Sequence, residues 1–348
     1  MLKTILFTHD DLDGAGCRIV YELAHIKMEK GVNFDVINCS NNNIDEKVSE
    51  AINKPQYICD ETEICFADII CSKEMLESLV KKFSDIKIWD HHATNFPAQQ
   101  VLPSAVIEPF NDQGVPYDSG TSLIYRYYSD IAFSKTGDAQ YCSPAFTSSK
   151  RDGHVLSKLV DTIRSYDIYE WKSTNNMDAK MLQTLFFMLG MEYFCKRYIT
   201  RITENIIPSE NLFNPYDLEF IDAKLQAEQR TIDFITKESI IECNIRGYNA
   251  AFLIYPVGAN ISEVASQFLE RYPEYDLFAS FTLARGGEFS FRTRREDLDV
   301  GAVFAKPIGG GGHPKASGAP VQPWIKEGLF NELLENLNGY YPKEEGGN

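Results

Sequence analysis

Three residues of the kind that hold cations stand within five positions near the start of the chain: His9, Asp11 and Asp13, followed by Gly14. Carboxylates crowded this closely repel one another and must either shift their pKa values or share a cation. An oxygen-rich set with an imidazole suits Mn²⁺ or Mg²⁺ better than thiol-preferring metals. Gly14 and Gly16 would let the backbone turn tightly beneath the set. For this segment alone the alternative is that Asp11 or Asp13 simply caps the next helix. Further along, Asp60 stands beside Glu61 and Glu63, and Asp90-His91-His92 follows Trp89. Adjacent histidines on an extended chain point to opposite faces, so one can ligate while the other reaches a substrate. In the last quarter, Gly309–Gly312 run into His313, Pro314 and Lys315. Four glycines can turn backbone N–H groups onto an anion, and His313 and Lys315 can add charge-assisted hydrogen bonds.

These residues need elements to hold them, and the apolar pattern supplies a consistent set. Thr4–Thr8, Asn33–Cys39, Gln56–Cys59 and Ile86–Trp89 read as strands. Helical patterns follow the first three, through Ile19 to Ile26, Ile44–Ile52 and Lys73–Phe83. This alternation predicts a parallel sheet with helices on both faces, and ligands of such sheets sit beyond the carboxyl ends of the strands. Asp11, Asp13, Asp60 and Asp90–His92 all fall just past predicted strand ends. Ser119–Tyr128, Leu156–Ile168 and Met181–Ile199 read as helices, and Phe133–His154 as a polar surface insertion. The pattern breaks around Asn211–Tyr216, and Asp222–Thr236 reads as a connecting helix. Beyond Ile240 short strands take over, at Asn249–Tyr255, Leu277–Ala284 and Glu288–Thr293, with a helix at Ile261–Arg271. The fold class is therefore α/β, with boundaries at 1–190, 191–239 (a helical connector) and 240–342 (a smaller mixed α/β domain).

Composition narrows the function. The chain has 348 residues, about two domains' worth, and is 44% hydrophobic, enough for sizeable cores. Its formal net charge of −16 gives it no general attraction for long nucleic acid, whose binding rests on many Lys and Arg contacts to phosphate. Long duplex is thereby excluded as an expected partner. A local exception lies between Arg285 and Lys315, where Arg285, Arg292, Arg294, Arg295, Lys306 and Lys315 outnumber the acids Glu288, Glu296, Asp297 and Asp299. No stretch approaches the ~18 apolar residues of a membrane span, and residues 1–8 are too short for a signal peptide. The eight cysteines contain no Cys-x-x-Cys pair and read as reduced thiols of a cytoplasmic protein.

His9-x-Asp11-x-Asp13, Asp60 and Asp90-His91-His92 resemble the first three motifs of the DHH phosphoesterases. That family includes RecJ nucleases, oligoribonucleases, cyclic-dinucleotide phosphodiesterases and family II pyrophosphatases. Leu159–Asp167 resembles the fourth motif, with Asp167 as its metal ligand and Asp161 as the alternative. Gly309–Gly318 resembles the signature of the DHH-associated C-terminal domain, and Ser290–Arg294 the arginine-bearing strand before it. The spacing of His9 and Asp11 favours the RecJ-like and oligoribonuclease branches over the pyrophosphatases.

The resemblance implies a DHH catalytic domain over 1–190 and a substrate-binding domain over 240–342. It also implies two Mn²⁺ ions, with Mg²⁺ as the alternative. His9, Asp11 and Asp60 would hold one ion, and Asp13, Asp60, His91 and Asp167 the other, with Asp60 bridging. Two such cations can lower the pKa of a shared water towards neutral, while His92 donates to the scissile phosphate. Arg292, Arg294, Gly310, Gly311, Gly312, His313 and Lys315 would grip substrate from the second domain. The expected activity is hydrolysis of short single-stranded RNA or dinucleotides to 5′-mononucleotides. A phosphatase for pAp, a cyclic-dinucleotide hydrolase and an inactive nucleotide-binding module are the other readings, and homodimerisation is left open.

Overall fold

The structure, a computed structural model, describes residues 3–25, 33–57, 61–133, 151–204, 211–254, 260–282 and 287–340. The chain divides into two compact units, Met1–Asp222 and Ala223–Asn348, so the segment read as a connector is shared between them.

The first unit opens with β1 (Lys3–His9), α1 (Leu12–His25), β2 (Asn33–Cys39) and α2 (Ile44–Ile52). It continues through β3 (Thr62–Ala67), α3 (Lys73–Val80), β4 (Asp85–Asp90), α4 (Ala98–Val101) and β5 (Val106–Ile107). The strands form one parallel sheet in the order β2-β1-β3-β4-β5. Alternate side chains of the central strands reach opposite faces. Ile5, Phe7, Ile64, Phe66 and Ile88 build one core with Ile44, Val48, Leu76 and Leu79 of α2 and α3. On the other face α1 packs against α5 (Gly120–Phe133), α6 (Arg151–Asp167) and α8 (Met177–Thr203). The expected parallel sheet with helices on both faces is present. From β1 the chain steps out to β2, returns past β1 to β3 and carries on to β5. The order therefore reverses between β1 and β3, and the carboxyl ends of those two strands frame a crevice.

One predicted strand is displaced. Gln56 and Tyr57 lie outside any strand, and residues 58–60, Asp60 included, lie outside the described residues. The third strand is Thr62–Ala67, buried along its whole length, and the acid that follows it is Asp68. What disguised it is Glu63, an acid inside a central strand. Its carboxylate pairs with Lys87 of β4 and accepts from Thr4 Oγ1 at 3.0 Å. Of the predicted insertion at Phe133–His154, residues 134–150 lie outside the described residues, and α6 begins at Arg151.

α7 (Glu170–Thr174) precedes α8, and α9 (Pro215–Phe234) runs across the unit boundary. The second unit then places β6 (Ile241–Ile245), β7 (Tyr248–Ile254), α10 (Ile261–Arg271), β8 (Leu277–Thr282) and β9 (Glu288–Arg292). β10 (Gly311–His313), β11 (Ala316–Pro320) and α11 (Pro323–Tyr340) complete it. Its six-stranded sheet runs β10-β11-β9-β8-β7-β6 and is antiparallel except between β7 and β8. α10 covers one face through Val264, Ala265, Phe268 and Leu269. Among the described residues no helix is long and apolar enough to cross a membrane.

Candidate metal centre

Each side chain of the site is delivered by the end of an element. His9 closes β1, and Asp13 lies in the first turn of α1. Asp68 follows β3 directly, His91 and His92 follow β4, and Asp167 is the last residue of α6. They converge into three overlapping groups of ligand atoms: His9, Asp11 and Asp68; Asp68, His91 and His92; Asp13, His91 and Asp167. Within each group the atoms lie within 4.8 Å of one another. His91 Nε2 is 3.2 Å from Asp68 Oδ1, 3.3 Å from Asp167 Oδ2 and 3.9 Å from Asp13 Oδ2. Asp161, the alternative for the fourth motif, is exposed on α6 and joins none of these groups. Asp68 stands where the sequence reading placed Asp60, because the third strand runs eight residues later than its predicted end.

Asp68 adopts the left-handed conformation, φ 64°, which is uncommon outside glycine but more accessible to Asp than to most residues. The turn brings its carboxylate back over the end of the strand, while its N–H donates to Trp89 O at 2.9 Å. α5 must then approach closely. A Cβ on Gly120 would meet Asp68 Cβ at 2.5 Å and Asp13 Oδ2 at 3.0 Å, so only glycine fits this helix start. The N–H groups of Gly120 and Thr121 donate to the two oxygens of Asp13 at 2.6 and 3.0 Å, and Thr121 Oγ1 donates to Asp13 O at 2.7 Å. The orphan amides of a helix N-terminus thus fix one carboxylate of the site.

Asp11 does two things at once. Its Oδ1 accepts from Gly14 N at 3.0 Å, capping α1, and its Oδ2 lies 2.6 Å from His9 Nδ1. The capping and ligand readings of this segment are therefore compatible. Asp90 is fully buried and belongs to no ligand group. Its Oδ1 accepts from the backbone N–H of His91 and His92 at 2.7 and 3.1 Å and from His92 Nδ1 at 2.7 Å, and its Oδ2 accepts from Asn95. Asp90 orients both histidines and leaves Nε2 as the free ring nitrogen of His92.

The electrostatics suit a cation. Burial, with the charges of Asp13, Asp11 and Asp167 around it, pushes the Asp68 carboxyl well above the usual range. Burial and the charges of Asp13 and Asp11 do the same to Asp167. Oδ2 of Asp68 and Oδ2 of Asp167 are buried and accept no hydrogen bond, since His91 lies near the latter without hydrogen-bond geometry. Buried polar atoms are normally satisfied, and two orphaned carboxylate oxygens in one acidic crevice fit hard divalent ions. His92 differs: burial would lower its pKa, but the Asp90 carboxylate outweighs this and holds it up at about 9.

Arg292 donates from Nε and Nη2 to Ser262 Oγ at 3.2 and 2.9 Å, and from Nη1 to Phe291 O and Ser317 O at 2.9 and 3.0 Å. It ties β9, β11 and the start of α10 together. Arg294 and His313 are exposed, and Lys315 donates to Arg295 O and lies 3.4 Å from Glu296. The glycine run is not an open loop. Gly311 and Gly312 belong to β10, and a Cβ on Gly310 would meet Gly318 O at 2.1 Å, so part of its glycine content serves close strand packing.

The fold, and the order of the motifs around the acidic crevice, resemble those expected of the DHH phosphoesterases. The chain is 25% identical over 325 residues to the oligoribonuclease NrnB of Bacillus subtilis, an alignment covering 92% of this chain and 74% of that one. Among solved structures, RecJ from Thermus thermophilus in complex with Mn²⁺ matches with a TM-score of 0.56 and 12% identity, over 98% of this chain and 52% of that one. An exonuclease RecJ bound to manganese matches with a TM-score of 0.52 and 12% identity, over 98% and 91%. At such identities these structures speak for the fold. No family model matches the chain.

Proposed function

We propose that the chain is a metal-dependent phosphodiesterase that hydrolyses short oligoribonucleotides to 5′-mononucleotides. The observation that carries this reading is the convergence of His9, Asp11, Asp13, Asp68, His91 and Asp167, with two carboxylate oxygens left without partners. Likeness to an oligoribonuclease over most of the chain supports the substrate class, and the net charge of −16 favours short over long polyanions. His9, Asp11 and Asp68 would hold one divalent cation and Asp13, Asp68, His91 and Asp167 a second, with Asp68 common to both. Such ions, Mn²⁺ by preference, would lower the pKa of an attacking water and neutralise phosphate charge. His92, kept cationic by Asp90, donates from Nε2 to a non-bridging phosphate oxygen, a charge-assisted bond that strengthens as negative charge develops. The helix N-terminus of α5 keeps Asp13 from drifting as substrate charge enters.

The test is a Mn²⁺-dependent assay on labelled RNAs of two to twenty nucleotides, with pAp and cyclic dinucleotides alongside. Fastest conversion of the shortest RNAs to 5′-mononucleotides is the expected result. Hydrolysis of pAp or a cyclic dinucleotide alone would overturn the substrate assignment.

A further inference from the structure

Next to the metal centre the first unit contains a second concavity, a cavity of about 510 Å³ at the carboxyl edge of the sheet. Its walls continue the two loops that carry site residues. Ile70 lies two residues past Asp68 and Asn95 three past His92, and Asn41 and Asn42 close it from the loop after β2. Consecutive Cα atoms are 3.8 Å apart, which puts the Cα of Ile70 within about 8 Å of that of Asp68. Asn95, on the rim, donates to the same Asp90 carboxylate that holds His92. The floor is the upper surface of the core, where Leu76 and Ala98 are buried.

We infer that this cavity is a nucleoside subsite, taking the base and ribose of a nucleotide whose phosphate lies at the metal centre. The inference rests on the phosphodiesterase reading above and adds where the nucleoside goes. The volume falls within the ~300–1,000 Å³ of small-ligand sites. An apolar floor suits the face of a heterocycle, and each Asn amide offers both donor and acceptor, the combination found along the edge of a base. The charge of Lys73 on the wall is offset by that of Asp45, so the cavity favours an uncharged group over a second phosphate. Its volume has room for one nucleoside, in keeping with a substrate of few nucleotides.

Calorimetric titration of the full chain, with 5′-AMP and with ribose 5-phosphate as probes, tests this. The intact protein should bind 5′-AMP at least about tenfold more tightly, a difference of about 1.4 kcal/mol, because only 5′-AMP carries a base. Asn42→Trp, which fills the cavity, should abolish that preference, and the milder Asn41→Ala should reduce it. Equal affinity for the two probes, or a preference that survives both substitutions, would overturn the inference. Mn²⁺-dependent hydrolysis of a labelled diribonucleotide to 5′-mononucleotides is measured in parallel on the unsubstituted chain. Its absence would sink the phosphodiesterase reading, whatever the titration gives.

Discussion

Asp68 and His91 are each common to two of the three ligand groups, and Asp68 is the residue that the sequence concealed. The sequence marked His9, Asp11, Asp13, His91 and Asp167 because each lies in a short motif. Asp68 has no such motif, only its place after the apolar run Ile64–Ala67. Asp68→Asn should weaken Mn²⁺ binding at least tenfold and leave the melting temperature unchanged or raised, since removing a charge from a crowded acidic site relieves repulsion. Titration calorimetry with Mn²⁺ and a thermal melt without metal check both halves, and undiminished affinity would remove Asp68 from the centre. Asp60→Asn in parallel should leave Mn²⁺ binding intact. Gly120 allows a second test at this scale. Gly120→Ala should force α5 away from Asp13 and Asp68, lowering stability by the ~1–3 kcal/mol of an overpacked contact and weakening Mn²⁺ binding. Thr121→Ser, which keeps the amide and the hydroxyl, should preserve both. Equal Mn²⁺ affinity in Gly120→Ala would mean that the helix start does not position the site.

At the scale of elements, periodicity found the parallel sheet and most of its helices, and failed where polarity inside the fold broke the pattern. β3 begins with Thr62 and Glu63, both buried, so the strand looked like a loop and the weaker run before it was taken instead. The compensation lies on β4, where Lys87 pairs with Glu63. Lys87→Met should therefore strand a buried carboxylate. Because Lys87 is 29% exposed, the loss belongs near or below the lower end of the ~3–5 kcal/mol seen for broken buried pairs. The double variant Lys87→Met with Glu63→Gln should recover much of it. Urea unfolding of the two single variants and the double one measures this, and additive losses would show that the pair is not coupled. Three strands of the second sheet, β6, β10 and β11, were not legible. β6 is largely exposed, and β10 and β11 are built around glycines that periodicity reads as loop. Arg292, singled out by the resemblance of Ser290–Arg294 to an arginine-bearing strand and by the local basic charge, also joins three elements of its own unit through its hydrogen bonds.

For the whole molecule, charge sets the length of substrate that can be held. On the short-substrate proposal, a chain of net charge −16 gains little from phosphates that it does not specifically contact, so most of the affinity should come from the few phosphates held at the site. Counterion release then predicts a shallow salt dependence, with log K falling by about 0.7 per contacted phosphate for each tenfold rise in salt. A protein tracking a long strand through many contacts would show a slope several times steeper. Binding of a dinucleotide and of a twenty-nucleotide RNA between 50 and 200 mM salt should therefore give similar, small slopes. Turnover per molecule should fall as the RNA lengthens, because each added phosphate brings more charge to a protein of net charge −16. Raising the salt should narrow that gap, since screening acts most on the uncoordinated phosphates. A steep slope for the long RNA, or a gap between short and long substrates that widens with salt, would place the main binding energy along an extended strand and defeat the short-substrate reading.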